Sequence, residues 1–401
     1  MSFQMNQIGL GLRGILKIAV IGSCLLLLTA CPEYDSKTSV LLPVETDSDF
    51  NWNLPRDVPL PKVPEDNPVS EAKFQLGRHL FFDTRLSGNQ TFSCGSCHLQ
   101  ERAFADGLQT PSGSTGMIHP RNSQALVNIA FNSSTTWANP VLVTLEEQAL
   151  VPMFGEFPVE LGINGDNQDE ILDRFREDAD YQARFKEVFV DEADPFTFNN
   201  IAKALATFSR GLNSFNSDYD RYEAGDKTAL SASAIRGLNM FFSETQECFH
   251  CHGGLHFSAA STDRSQMFTN KQFHNNGLYN LNGVGDYPEG NQGLFEITGN
   301  AEDKGAFRPP TLRNIALTGP YMHDGSMQTL EEVVRHYAAG GRNIPTGVNA
   351  GDGRNNPNKS SLVPGFEATE QDIQDLVAFL ESLTDTEFTT NPRFSDPFLS
   401  K

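Results

Sequence analysis

The stretch Phe92-Ser-Cys94-Gly-Ser-Cys97-His98 contains a Cys-x-x-Cys-His motif, and Glu247-Cys248-Phe-His-Cys251-His252 contains a second one. This spacing is the attachment signature of c-type haem. Two thiols three positions apart can form thioethers to both vinyl groups of one porphyrin, and the histidine that follows is then held under the iron. The alternative is a structural zinc site, which prefers paired Cys-x-x-Cys knuckles around one ion. Zinc gives no reason for a histidine after both motifs, so the sequence predicts two covalent haems.

The composition limits the function classes. The chain has 401 residues, which is enough for one large or two ordinary domains. Its formal net charge of −21 argues against nucleic acid as a partner, whereas an acidic surface can steer a basic protein or simply keep the chain in solution. Four of the six cysteines belong to the two motifs, and the others, Cys24 and Cys31, lie near the N-terminus. No disulfide framework remains.

The N-terminus predicts export. Basic residues precede the apolar run 18–28, which is typical of a secretory signal and too short for a comfortable membrane span. The stretch Leu28-Thr29-Ala30-Cys31 resembles the bacterial lipoprotein signal, in which the cysteine is lipidated and becomes the first mature residue. We therefore expect a signal peptide at 1–30 and a periplasmic protein anchored to a membrane through Cys31. Pro32 favours the outer membrane by the same resemblance; an ordinary signal peptide or a retained anchor is the alternative.

The remaining pattern predicts a mostly α-helical fold with long loops. Residues 31–66 are rich in Pro, Asp and Ser and predict a flexible tether, and residues 389–401 are expected to be a tail. Apolar residues at helical spacing predict a helix that begins near Ser70 and another that begins at Thr329. Further helices are expected at 168–188, 199–212, 231–242 and 369–383.

An internal repeat divides the ordered chain into two halves. The paired stretches are Gly77-Arg-His-Leu-Phe81-Phe82 with Gly237-Leu-Asn-Met-Phe241-Phe242, Leu126-Val-Asn128-Ile-Ala130 with Leu312-Arg-Asn314-Ile-Ala316, and Thr144-Leu-Glu-Glu147 with Thr329-Leu-Glu-Glu332. Their order around each Cys-x-x-Cys-His motif is the same in both halves. We therefore expect two related cytochrome c-type haem domains, at 67–224 and 225–388.

The repeat also exposes a difference between the two haems. Tyr337 follows Thr329 by eight residues, on the apolar face of its helix, and tyrosine is a known axial oxygen ligand of haem. The matching residue after Thr144 is Pro152, which cannot bind iron. Met322 and Met327 are the rival ligands for the second haem. The sequence thus predicts one open haem in the first half and one six-coordinate haem in the second.

An open ferric haem can bind peroxide, and cleavage of the O–O bond needs a group that moves a proton between the two oxygens. The first half offers Gln148 and Glu160 shortly after Thr144, and a carboxylate is the better group for proton transfer. His79 and His119 lie near the first haem motif in sequence. Either histidine could close the open haem in a resting form, although a structural or exposed position is expected for both.

These motifs together resemble the bacterial di-haem cytochrome c peroxidase and MauG superfamily, over about residues 68–383. The resemblance is carried by Leu76-Gly-Arg-His-Leu-Phe-Phe-Asp83, Arg121-Asn122-Ser, Glu147-Gln148, Pro158-Val-Glu160 and Leu312-Arg-Asn-Ile-Ala-Leu-Thr318-Gly-Pro320-Tyr-Met-His323-Asp-Gly325. It implies an oxidoreductase with two covalently bound haem c groups that reacts with hydrogen peroxide.

The resemblance also implies individual roles. His98 matches the proximal ligand of the open, peroxide-reacting haem, and His252 matches a ligand of the second haem. Glu160 matches the catalytic glutamate, with Gln148 beside it. Trp137 matches a tryptophan that relays electrons between the haems.

Further matches concern a calcium ion, and two stretches depart from the family pattern. Asn122 and the backbone oxygens of Thr318 and Pro320 match the ligands of a calcium between the haems, and such oxygen ligands suit this ion. The family's Trp-Asp-Gly-Arg run is Trp-Ala-Asn-Pro at 137–140, and the segment from Gln148 to Glu160 is longer than the family's.

The sixth ligand of the second haem separates the branches of the superfamily. Ordinary peroxidases have methionine there and MauG-like enzymes have tyrosine, so Tyr337 favours the MauG branch. Oxygen ligation stabilises oxidised iron, whereas Met/His ligation raises the potential. Within that branch, stretches such as Phe273-His-Asn-Asn-Gly-Leu-Tyr279 resemble the MbnH-type enzymes, which oxidise a tryptophan of a partner protein.

Three functional hypotheses follow. In the first, hydrogen peroxide generates a high-valent state shared by the two haems, which oxidises an aromatic side chain, tryptophan above all, on a partner protein. In the second, the chain is a peroxidase that reduces hydrogen peroxide with electrons from a small cytochrome or cupredoxin, and Met322 or Met327 is the ligand. In the third, it is a non-catalytic electron carrier, which requires two six-coordinate haems and disagrees with Pro152 and Glu160.

Overall fold

Helices dominate residues 49–399, the part of the chain that this computed structural model describes. The α-helices are α1 Glu71–Phe82, α2 Cys94–Cys97, α3 Leu145–Phe154, α4 Gln168–Arg176, α5 Ala179–Val188, α6 Phe198–Arg210, α7 Asp218–Glu223, α8 Ala232–Phe241, α9 Cys248–His252, α10 Phe295–Thr298, α11 Leu330–Ala338 and α12 Glu370–Glu381. Two short antiparallel sheets pair β1 His274–Asn275 with β2 Ala306–Phe307, and β3 Asn343–Ile344 with β4 Gly351–Asp352. The prediction of a mostly helical fold with long loops is confirmed.

One predicted helix is wrong as a single element. The segment 168–188 forms two helices, α4 and α5, that are separated by Glu177 and Asp178. The Asp178 side chain accepts hydrogen bonds from the backbone N–H groups of Asp180 and Tyr181. Aspartate is a strong N-cap, so it starts a new helix where the apolar periodicity alone suggested continuity.

Two close helix crossings explain the first pair of repeated stretches. A Cβ on Gly77 of α1 would lie 1.9 Å from the carbonyl oxygen of Ala204 on α6, and a Cβ on Gly237 of α8 would lie 1.9 Å from the carbonyl oxygen of Asp375 on α12. Only glycine lets the two backbones approach this closely. Each half therefore depends on one glycine at the same place of its repeat.

The other repeated stretches also have matching local structures. Asn128 and Asn314 both adopt left-handed backbone angles, with φ of 52° and 59°, before a short 3-10 helix. Thr144 and Thr329 both begin a helix with a capping box, in which the threonine side chain accepts the N–H of the third helical residue and that residue's glutamate bonds back. The repeat thus encodes helix starts, turns and crossings.

The apolar side chains form two main cores that follow the two halves. The first is centred on α1 and α6, and the second on α8 and α12. All described residues belong to one compact unit, so the predicted domain division at 67–224 and 225–388 stays a prediction.

Parts of the predicted tether and tail contribute to the first core. Phe50 and Trp52, from the segment predicted as a tether, are buried there, and so is Phe394 of the predicted tail. The predicted signal at 1–30, Cys31 and the tether as far as residue 48 lie outside the described residues. Within residues 49–399, no helix is both long and apolar enough to cross a membrane.

The crossing of α8 and α12 gives a stability prediction. Gly237→Ala should lower the stability by about 1–3 kcal/mol or more, because the new Cβ forces two backbones apart. The shift of the urea unfolding midpoint measures this effect. Gly165→Ala is the matched control, since a Cβ there would meet nothing within 4 Å. Equal midpoints for the two variants would contradict the role of the crossing.

Candidate functional site

The first Cys-x-x-Cys-His motif forms the short helix α2, and His98 follows it as the C-cap. The His98 Nδ1 lies 2.7 Å from the backbone carbonyl oxygen of Phe104, so Nδ1 carries the hydrogen and Nε2 keeps its lone pair. Burial lowers the pKa of His98, which keeps the imidazole neutral. The arrangement suits a metal ligand, because a ligating histidine usually donates its other N–H to such an acceptor.

The second motif repeats this arrangement. It forms α9, and the His252 Nδ1 lies 3.2 Å from the carbonyl oxygen of Phe257 and 3.1 Å from that of Pro310. Burial lowers the pKa of His252 to about 4. Both predicted iron ligands therefore favour a neutral imidazole, and among residues 49–399 nothing hydrogen-bonds their Nε2 atoms.

A large cavity opens beside the second motif. Its lining includes Cys248, Cys251 and His252, and Tyr337 of α11 lines the same cavity. Burial raises the pKa of Tyr337 to about 12, while a hydrogen bond from Asn276 acts in the opposite direction.

The two rival methionines differ in position. Met322 lines the cavity, and its Sδ accepts a hydrogen bond of 3.4 Å from the Asn276 Nδ2. Met327 is 6% exposed and belongs to a neighbouring apolar core. Asn276 therefore contacts both Tyr337 and Met322, a role that its sequence position did not indicate.

The end of helix α3 positions Glu160. The carbonyl oxygen of Pro152 accepts the N–H of Leu161 at 2.9 Å, and that of Met153 accepts the N–H of Ile163 at 3.0 Å. These carbonyls lie in the last turn of a helix and need partners from outside it. The residues after α3 therefore fold back against its end and carry Glu160 with them.

The charge of the Glu160 carboxylate acts on both cysteine thiols of the first motif. Burial raises the pKa of both Cys94 and Cys97 to about 12, and the Glu160 charge contributes to both shifts. The Glu160 side chain is 37% exposed. Gln148 lies on α3, where its Oε1 accepts a hydrogen bond of 3.2 Å from the Thr135 hydroxyl.

Trp137 and Asn122 are joined directly. The indole Nε1 donates to the carbonyl oxygen of Asn122 at 2.9 Å, and the Asn122 N–H donates to the carbonyl oxygen of His323 at 2.8 Å. Trp137, Asn122, Thr318 and Pro320 all line the cavity of the second motif. Within residues 49–399, the Asn122 Oδ1 and the carbonyl oxygens of Thr318 and Pro320 accept no hydrogen bond, which leaves three oxygens available to a cation.

Three further histidines occupy defined positions. His323 lines the cavity and stacks on Phe307 with ring centroids 3.7 Å apart, and burial lowers its pKa to about 4. His119, expected to be structural or exposed, has its Nε2 3.5 Å from the Glu160 Oε1. His79 bonds the Gln75 carbonyl oxygen through Nδ1. Sequence spacing could not indicate the contact of His119 with Glu160, because the two residues are 41 positions apart.

The residues fit two haem groups. Each motif supplies two thiols and a free imidazole nitrogen, and the cavity beside the second motif is lined mainly by apolar side chains. Arg308 lines this cavity while only 3% exposed, and its hydrogen-bond partners among residues 49–399 are neutral oxygens rather than carboxylates. A buried cation needs a counter-charge, which a haem propionate would supply.

Comparison with known proteins agrees with this site. The family described as di-haem cytochrome c peroxidase matches residues 71–228. The chain is 34% identical to a cytochrome c peroxidase, IdrP1, of Denitromonas iodatirespirans over 82% of this chain and 86% of that one. It is 33% identical to the methylamine utilization protein MauG of Methylorubrum extorquens, over 83% of each chain.

Solved structures give the same result. A MauG-like protein associated with microbial copper homeostasis is 50% identical, with a TM-score of 0.86, and the match covers 87% of this chain and all of that one. The di-haem peroxidase BthA of Burkholderia thailandensis, 23% identical with a TM-score of 0.62, shares the fold. The chain therefore belongs to the di-haem cytochrome c peroxidase and MauG family, and it is an oxidoreductase that binds two c-type haems.

Proposed function

We propose that this protein uses hydrogen peroxide to oxidise an aromatic side chain, tryptophan above all, of a partner protein. The observation that carries the proposal is Tyr337, which lines the same cavity as Cys248, Cys251 and His252. A tyrosine oxygen opposite a histidine favours oxidised iron and makes the second haem a poor acceptor of electrons from a small cytochrome. The similarity to a MauG-like protein over 87% of this chain supports the same branch.

When bound, the two haems would supply the reaction with peroxide and the storage of two oxidising equivalents. His98 would hold the first haem, with Pro152 leaving its other side open. His252 and Tyr337 would hold the second. Overall, one hydrogen peroxide takes up two electrons and two protons and leaves as two water molecules, and the partner's side chain gives up the two electrons.

Glu160 would manage the proton at the first haem. A carboxylate beside bound peroxide can accept a proton from one oxygen and return it to the other, which is general acid–base catalysis. The folded-back segment after α3 holds Glu160 near Cys94 and Cys97. Gln148, which lies on α3 itself, would contribute a polar amide to this site.

Trp137 would carry electrons between the two haems. Its indole lines the cavity of the second haem, and the hydrogen bond to the Asn122 carbonyl fixes the ring plane. A calcium ion held by Asn122, Thr318 and Pro320 would stiffen the same region. Oxygen ligands of this mixed kind suit calcium.

The proposed location of the enzyme is the periplasm. The predicted signal at 1–30 and lipid anchor at Cys31 would place the enzyme in the periplasm, with the outer membrane favoured. The two haems would occupy the domains at 67–224 and 225–388. The 50% identical relative is associated with copper homeostasis, so a partner from that process is the first to test.

A second candidate function is reduction of peroxide with electrons from a small cytochrome or cupredoxin. The specific observation in its favour is Met322, which lines the cavity together with Tyr337. Relatives named cytochrome c peroxidase, such as IdrP1, are about as similar to this chain as MauG. Asn276 donates a hydrogen bond to both the Met322 sulfur and Tyr337, so this contact does not separate the two candidate ligands.

Replacement of Tyr337 separates the two functions. Tyr337→Met should raise the reduction potential of the second haem by roughly 0.1 V or more, within the ~0.8 V range that axial ligands span. Spectroelectrochemical titration measures this potential. Tyr321→Phe, which alters another tyrosine of the cavity, should leave the potential near that of the wild type. An unchanged potential in Tyr337→Met would show that Tyr337 is not the ligand.

Replacement of Trp137 tests the electron path. Trp137→Phe should slow the response of the second haem to peroxide roughly tenfold or more, equivalent to about 1.4 kcal/mol of activation free energy. Freeze-quench spectroscopy follows the two haems separately. The matched control is Trp52→Phe, because Trp52 is the chain's other tryptophan and lies in the first core. If both variants respond like the wild type, electrons do not pass through Trp137.

Removal of calcium provides a further test. Metal analysis of the purified protein should find one calcium per chain, and chelation with EGTA should slow the response of the second haem to peroxide. Added calcium should restore the rate and added magnesium should not, because magnesium demands a smaller, near-octahedral site. A protein without calcium that responds at the full rate would contradict this assignment.

A further inference from the structure

The side chains of His119 and Glu160 lie next to each other although they come from different loops. The His119 Nε2 is 3.5 Å from the Glu160 Oε1. The first loop leads into Asn122, and the second is the segment that folds back against α3. Glu160, the candidate proton carrier, therefore contacts a histidine that belongs to another loop.

The hydrogen bonding of His119 fixes where its proton lies. The backbone N–H of Arg121 donates to the His119 Nδ1 at 3.2 Å, so Nδ1 is an acceptor. A neutral imidazole with an acceptor Nδ1 carries its hydrogen on Nε2, the atom that faces Glu160. His119 thus presents a donor to the carboxylate.

The two loops are held firmly together. The Ser114 N–H donates to the Glu160 carbonyl oxygen at 2.8 Å, and the Val159 N–H donates to the Met117 Sδ at 3.4 Å. A Cβ on Gly113 would lie 1.8 Å from the Val159 carbonyl oxygen, so the backbones are in direct contact. The position of the pair therefore follows from backbone contacts on both sides.

Arg121 connects His119 to the second half of the chain. Its guanidinium forms an ion pair with Glu296, bonds the Asn291 Oδ1 at 3.3 Å, and lies 5.6 Å from the centre of the Phe307 ring. The N–H that orients His119 thus belongs to a residue anchored in the second half. This anchor limits the rotation of the loop that carries His119.

We propose that His119 is a positioning residue for Glu160, an inference that rests on the proposed role of Glu160 in proton transfer. The His119 Nε2–H faces Oε1 from 3.5 Å, and Oε2 is the oxygen left to take the proton at the first haem. The pair is partly exposed, with side chains 26% and 37% accessible, so it adds little stability. The contact instead orients the Glu160 carboxylate.

Cyanide binding to the ferric protein tests this role without turnover. Hydrogen cyanide loses its proton as its carbon binds the iron, so a well-placed carboxylate that accepts the proton speeds association. Glu160→Gln should slow cyanide association about 100-fold, and His119→Leu about 10-fold. His119→Gln should recover part of the loss, because its amide N–H can replace the Nε2–H. The double variant Glu160→Gln/His119→Leu should be no slower than Glu160→Gln.

The control is His79→Leu, which removes another histidine of the first half. The His79 ring contacts the Gln75 carbonyl oxygen and the edge of Phe398, so cyanide association should match the wild type. Circular dichroism and the resting haem spectrum check that each variant is folded. If Glu160→Gln is slow while both His119 variants match the wild type, the positioning role is overturned and the role of Glu160 stands. If Glu160→Gln is itself as fast as the wild type, the role of Glu160 fails, and the positioning role fails with it.

Discussion

Close contact between helix backbones at Gly77 and Gly237 sets the frame for both haem sites. Each crossing fixes a helix that ends in a pair of phenylalanines, and these rings lie beside the Cys-x-x-Cys-His motif. Phe82 is so close to α2 that a Cβ on Gly95 would lie 2.5 Å from its ring, and Phe81 lies 6.3 Å from the His98 ring. In the second half, Phe242 lies 6.2 Å from Phe249 of α9. The helices that carry the predicted haem ligands are therefore packed against helices whose close crossings require glycine.

The two halves share this frame but differ at one position near the predicted haem sites. The repeated threonines begin helices α3 and α11 with the same capping box, and the eighth residue beyond each is Pro152 or Tyr337. Tyr337 lines the cavity beside the second Cys-x-x-Cys-His motif. Pro152 has no side-chain oxygen, and the carbonyls that end its helix hold the segment that carries Glu160. In the proposed function, this single difference would supply the asymmetry between an open and a closed haem.

The sequence predicted those parts of the structure that depend on local patterns. The two haem motifs, most helix positions and the paired glycines could be found because each has a short signature or a repeated copy. Asp178 divides one predicted helix, since a capping side chain outweighs apolar periodicity. The contacts of Asn276 with Tyr337 and Met322, and of His119 with Glu160, join distant segments. Such contacts depend on the folded loops, which leave no periodic signal.

The most direct test of the account is electron paramagnetic resonance of the fully ferric protein, before and after one equivalent of hydrogen peroxide. One open haem and one closed haem predict a high-spin and a low-spin signal in the resting protein. Both signals should vanish with peroxide, because the two haems share the oxidation. Two low-spin signals that do not respond to peroxide would contradict the account, since both irons would then be closed.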